Sequence, residues 1–157
     1  MKVFYRVHTS SDAYQDSEIY RLTIKPPEAH ERERLQCLQA SSRLEVSLAT
    51  ARSKGLTLRL ERWLLMEAGQ RLWVAGTFLE QPAVAKFWAT QGGEAGQLVS
   101  AVDIARGYVE LQVANSNFGP ALVNHELRFD VQLAFEKPSD RQSPLLDFPP
   151  LTLRFVA

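Results

Sequence analysis

The sequence predicts a mainly β fold, an antiparallel β-sandwich or open barrel of about eight to nine strands with one or two short helices. Three observations predict it. Apolar residues recur at every second position in segment after segment, the mark of a half-buried strand. Each such segment is apolar on one side only, whereas parallel strands are covered on both. Turn-forming residues separate the segments.

In chain order, "KVFYRVH" (2–8) and "EIYRLTI" (18–24) are the weakest strands of the set. Pro26 and Pro27 then open a stretch through "HERERLQC" (30–37) that reads as a short helix. "LEVSLAT" (44–50), "LTLRL" (56–60) and "LWVAGTF" (72–78) alternate as strands, and "MEAGQ" (66–70) reads as the turn of a hairpin between the last two. The second helix is expected in "QPAVAKFWATQGG" (81–93). There Pro82 suits a first turn, Val84, Phe87, Trp88 and Gln91 follow helical spacing, and Gly92 suits the stop. "LVSAVDIA" (98–105), Arg106-Gly107 and "YVELQV" (108–113) read as a second hairpin. "LRFDVQLAF" (127–135) alternates most strongly, with Leu127, Phe129, Val131, Leu133 and Phe135 inward. "SPLLDFPP" (143–150) reads as a stiff extended connector, because proline fixes φ and donates no hydrogen bond to a ladder. "LTLRF" (151–155) closes the set. Leu58, Leu60, Val74, Leu111, Phe129, Val131 and Leu133 are the expected core.

Residues 1–157 fit one β-rich domain, large enough to fold without a staple. Eighteen basic residues balance eighteen acidic ones, so no overall field draws the chain to nucleic acid or an anionic membrane. The thirteen Arg against five Lys can follow from genome composition. Cys37 is the single cysteine, and no apolar run approaches the ~18 residues of a membrane helix. The expectation is a soluble, cytoplasmic protein.

The residues that could carry chemistry do so weakly. On a helix His30, Glu33, Arg34 and Cys37 share a face, but His30 and Cys37 stand two turns or ~10.5 Å apart. A structural zinc needs four ligands and finds no second cysteine, so a solvated helix with a half-exposed thiol is the expectation. Asp103, Glu110 and Asp130 fall in the outward phase of their strands, where carboxylates are simply hydrated. "SSDAYQDSE" (10–18) lacks calcium-loop spacing, and "GGEAG" (92–96) lacks the Lys of a phosphate loop. Segment 43–71 interleaves Arg43, Arg52, Lys54, Arg59, Arg62 and Arg71 with Trp63, the ingredients of nucleic-acid binding, with Trp73 just beyond. The balanced total charge weighs against that use.

These features favour a non-catalytic protein-binding or structural β-domain: an adaptor, an assembly component or a toxin-neutralising partner. It would need no cofactor and no metal. Its partner is expected to be another protein, met through Leu145 of the extended tract together with the loop residue Phe118. The alternative is a small-ligand or lipid carrier, or an enzyme, using the interior of the sandwich or barrel.

Overall fold

In a computed structural model, residues 33–80, 86–134 and 145–157 are described in full. So is the backbone of four short strands before them: β1 (Lys2–Val3), β2 (Arg6–His8), β3 (Tyr14–Asp16) and β4 (Tyr20–Arg21). Then follow β5 (Leu35–Cys37), β6 (Glu45–Ser47), α1 (Leu48–Lys54), β7 (Leu56–Glu61), β8 (Arg71–Phe78), β9 (Phe87–Trp88) and β10 (Gln97–Leu98). The chain continues with α2 (Ala101–Arg106), β11 (Tyr108–Val113), β12 (Glu126–Ala134) and β13 (Leu145–Val156). Among the described residues the fold is mainly β with two short α-helices, as the alternation predicts. Phe135 and the segment 10–13 lie outside the described residues, as does most of the stretch 18–34.

The main sheet runs β10-β8-β12-β13-β6, with β9 also on β8; a second sheet runs β11-β7-β5. β1 pairs with β4, and β2 with β3. Pairing is antiparallel except between β13 and β6. The inward residues of both sheets form one buried cluster: Leu72, Val74, Leu127, Phe129, Val131 and Leu133 from the first, Leu56, Leu58, Leu60, Val109, Leu111 and Val113 from the second. All seven expected core residues are in it. Rings thread through the cluster, with Phe87 edge-on to Phe129 at 6.1 Å and Phe118 edge-on to Phe155 at 5.5 Å. Such contacts add about 0.5–1.5 kcal/mol each beyond the area they bury.

Several expectations give way, each for a local reason. Residues 35–37 are a strand, not a helix, since Leu35 and Cys37 both point into the core beside Leu60 and Leu58. Phe87 and Trp88 form a strand instead of helix. Phe87 packs its ring against Phe78 and Phe129. Trp88 is placed in register with Ala75, on the opposite face of the sheet. A helix turns only about 100° per residue and cannot send neighbours to opposite faces. Gly76 makes the room, because a Cβ there would stand 2.3 Å from the Phe87 ring. Residues 44–50 are strand only to Ser47; helix α1 then buries Leu48 and Ala51 and stops at Gly55, whose φ is +75°. The second hairpin is replaced by helix α2, set by a capping box between Ser100 and Asp103 and ended by Gly107 in the left-handed region. Residues 66–70 are no hairpin turn either, since β7 and β8 belong to different sheets.

The tract 143–150 brings the largest correction. From Leu145 on it is the first half of strand β13, bonded to β12. Phe129 faces Leu151 and Val131 faces Phe148, so Asp130 alone stands opposite Pro149 and Pro150. This is a β-bulge, where an extra residue is left out of the ladder and proline's missing N–H costs little. The bulge also resets the phase. Leu146 and Phe148 point inward before it, and Leu151, Leu153 and Phe155 after it.

Phe129→Ala should therefore cost about 3–5 kcal/mol in urea unfolding, against less than about 0.5 for outward-facing Arg128→Ala. Pro150→Ala should cost less than about 1 kcal/mol. Deleting Pro150 alone removes the extra residue and should be tolerated, whereas deleting Pro149 and Pro150 together should abolish cooperative folding, because it turns Leu151, Leu153 and Phe155 to the wrong face.

Candidate functional site

Two surfaces of the main sheet are distinctive. The first is at one end of the sandwich. After β7 the chain enters the loop 62–70, where Trp63 and Met66 turn inward and Leu64 and Leu65 turn outward. Leu64 is 72% exposed and Leu65 63%, the two highest values among the described large apolar side chains. Leu65 also has φ +63°, one of three non-glycine residues with positive φ among those described, with Leu44 and Asn124. That conformation costs an ordinary L-residue about 1–2 kcal/mol.

The turn is held by Gln70, a polar side chain that is only 4% exposed. Its Oε1 accepts from the Trp63 indole N–H at 3.1 Å and from the Glu67 amide at 3.1 Å. Its Nε2 donates to the Leu65 carbonyl at 2.8 Å. A buried amide satisfied on both ends fixes geometry and is costly to disturb. The loop is tied to the neighbouring segment by Gly69 N–H donating to Val99 O and Val99 N–H to Gln70 O, both 2.9 Å. The Trp63 ring meets Phe148 edge-on at 5.9 Å.

The sheet register extends this end. Leu98 stands opposite Arg71, Arg71 opposite Ala134, and Ala134 opposite Leu145. Facing residues point to the same side, so Leu98 and Leu145 share the outer face of the sheet. Leu98 is exposed, as is Val102 in the first turn of α2. Leu145 is half-buried and the most exposed apolar residue of its tract, with Leu146 and Phe148 buried. Phe118, expected beside Leu145, is instead core: it is 4% exposed and packs on Phe155. It lies by the far end of β13, so the two never share a surface. The leucine turn, which alternation could not reveal, is tied beside Leu98 by the Gly69–Val99 and Val99–Gln70 hydrogen bonds. The signal was "WLLM", two leucines between inward-turning Trp63 and Met66.

The second surface is a groove of about 450 Å³ across the outer face of the sheet, between Trp88 and Pro150. Trp73 and Ala75 from β8 and Asp130 and Gln132 from β12 form its floor. The Trp73 indole donates to the Glu94 carbonyl at 3.0 Å and is fixed in place.

The remaining candidates separate. Cys37 is buried, and that burial pushes its thiol up, only partly offset by the N–H groups of Gln39 and Ala40. Its thiolate is suppressed at neutral pH, unlike that of a nucleophile. His30 lies outside the described residues, and among those described no three or more His, Cys, Asp or Glu come together. Glu110 pairs with Arg59 at 3.2 Å and Asp130 with Arg128 at 2.9 Å, while Asp103 caps α2. The three carboxylates face no common cleft. Trp63 and Trp73 are both buried, which removes the stacking platforms from the basic segment 43–71. Among the described residues no helix is long and apolar enough to cross a membrane.

Comparison with protein-family models, with curated proteins and with solved structures finds no match.

Gln70→Ala leaves the Trp63 N–H, the Glu67 N–H and the Leu65 carbonyl without their partner. It should cost about 2–3 kcal/mol in chemical denaturation and speed amide exchange through residues 64–69.

Proposed function

We propose that this chain is a non-catalytic protein-binding β-domain, and that its docking surface is the apolar end built from Leu64, Leu65, Leu98 and Leu145. One observation carries the reading. The two most exposed leucines among the described residues stand side by side on a turn that a buried, fully bonded glutamine holds rigid, at the cost of a strained backbone at Leu65. A strained, exposed apolar residue is tolerated where the surface itself is useful. A rigid turn also loses little conformational freedom on binding. The sharing of one end by Leu98 and Leu145 makes the surface broad enough for a protein partner, with polar Arg71 among the leucines. The reading of an adaptor, assembly component or neutralising partner rests on the same surface.

The test separates binding from folding. With tagged full-length chain in the native host, covalent crosslinking followed by purification should recover a defined partner with the wild type. Leu64→Asp with Leu65→Asp should lose it, each leucine carrying about 2 kcal/mol or roughly thirty-fold in affinity. Circular dichroism should be unchanged. Leu65→Gly is the sharper variant: it relieves the left-handed strain and should raise stability by up to about 1 kcal/mol while weakening capture. Equal recovery of the partner by wild type and both variants would rule this surface out.

A further inference from the structure

We propose that the groove on the outer face of the main sheet is a second binding site, for a neutral saccharide ring, independent of the leucine turn. Its size sets the scale: about 450 Å³ suits one small molecule, since ligand pockets run to roughly 300–1,000 Å³.

Its charge sets the ligand's charge. Lys86 and Arg128 line the groove against Asp130 and Asp147, so cations and anions balance. Neither a phosphate nor a polycation is favoured over a neutral molecule by that lining.

Its hydrogen-bonding groups set the chemistry. Arg128 Nε donates to Asp130 Oδ1 at 2.9 Å, and Gln132 Nε2 donates to Asp147 Oδ1 at 3.0 Å. Each pair holds its members in place, and the Arg128 and Asp130 side chains are each nearly half exposed to solvent. A guanidinium carries five N–H donors and a carboxylate about four acceptor sites. Arg128, Asp130 and Gln132 alternate along β12, so they stand about 7 Å apart in steps of two residues. Fixed donors and acceptors side by side match vicinal hydroxyls, each of which both donates and accepts.

Its apolar wall completes the match. Trp88 is half-buried opposite Ala75, and exposed Lys86 lays its Nζ over the ring at 4.8 Å, a solvated cation–π contact worth about 0.5–1 kcal/mol that a sugar ring would replace. An indole flanking polar groups is complementary to a sugar ring, which has an apolar C–H face and a polar rim.

A peptide fits less well. Extended peptides bind by adding main-chain hydrogen bonds at an open strand edge. This groove crosses the strands instead, and the β8, β12 and β13 backbones beneath it are already bonded to one another. Recognition there falls to side chains.

The experiment is a titration of the ¹⁵N-labelled full chain with neutral mono- and disaccharides of glucose, galactose, mannose and N-acetylglucosamine. Sulfated sugars and a leucine-rich peptide form parallel arms. Saturable shifts of the Trp73 and Trp88 indole N–H signals by at least one neutral sugar are expected. Trp88→Ala should weaken that sugar by about tenfold and Trp88→Tyr by far less, because the aromatic face carries the contact. Gln132→Ala, at an outward position that leaves the core intact, should weaken it several-fold. Leu64→Asp should leave it unchanged. The site is overturned if no neutral sugar moves the indole signals, if Trp88→Ala and Gln132→Ala both bind as well as wild type, or if only sulfated sugars or the peptide respond.

Discussion

Strand β12 is hydrogen-bonded on both edges along nearly its whole length, to β8 on one side and β13 on the other, and the other strands of the main sheet take their places from it. Its inward residues Leu127, Phe129, Val131 and Leu133 are essentially removed from water. Slipping the register by one residue would exchange that apolar set for Arg128, Asp130 and Gln132, at several kcal/mol per exchanged pair. Two-sided pairing and strict alternation therefore fix one arrangement. β8 carries β9 and β10 on its far edge, and β13 leads to β6.

The diproline at 149–150 shows how that constraint accommodates an irregular sequence. β13 is the longest strand among the described residues, yet its alternation breaks between Phe148 and Leu151. Read as a pattern, the break and the prolines signal the end of a strand. Against β12 they act as one extra residue, and the bulge returns Leu151, Leu153 and Phe155 to the core. The same arithmetic explains what the sequence made legible. Long alternating runs such as 56–60, 72–78, 108–113 and 127–134 speak for themselves, because burial on one face leaves a period of two. Short strands do not. Leu35–Cys37 and Phe87–Trp88 are too brief to show a period, and their state is decided by the partner strand. Helix α2 was legible in principle, since "SAVD" followed by Gly107 is a capping signal; the alternation around it hid that signal.

The surfaces were less legible than the core, and for a physical reason. Exposure of a particular side chain depends on where neighbouring elements lie, which a local pattern does not encode. Phe118 sits in a loop sequence yet packs on Phe155, while Leu64 and Leu65 follow a strong strand yet face solvent. The outward side of Leu145 is legible because proline and alternation together fix it. Leu98 of β10 shares its face of the sheet across β8 and β12, and the loop 62–70 is tied to the chain beside Leu98. The basic segment 43–71 likewise loses its meaning for nucleic acid once Trp63 turns into the core and Trp73, on the outer face, is buried with its indole bonded to the Glu94 carbonyl.

The core and the leucine turn form one mechanical unit, with Trp63 packed on Phe148 and bonded to Gln70, which in turn holds Leu65 and Glu67. Native-state hydrogen exchange resolved by residue tests that unity most directly. The account predicts that β12 amides exchange only by global unfolding and that the Met66, Glu67 and Gly69 amides are strongly protected although Leu64 and Leu65 beside them are exposed. Exchange of those loop amides at unprotected rates, while β12 stays closed, would contradict it: the turn would be a floppy loop and no preformed docking surface.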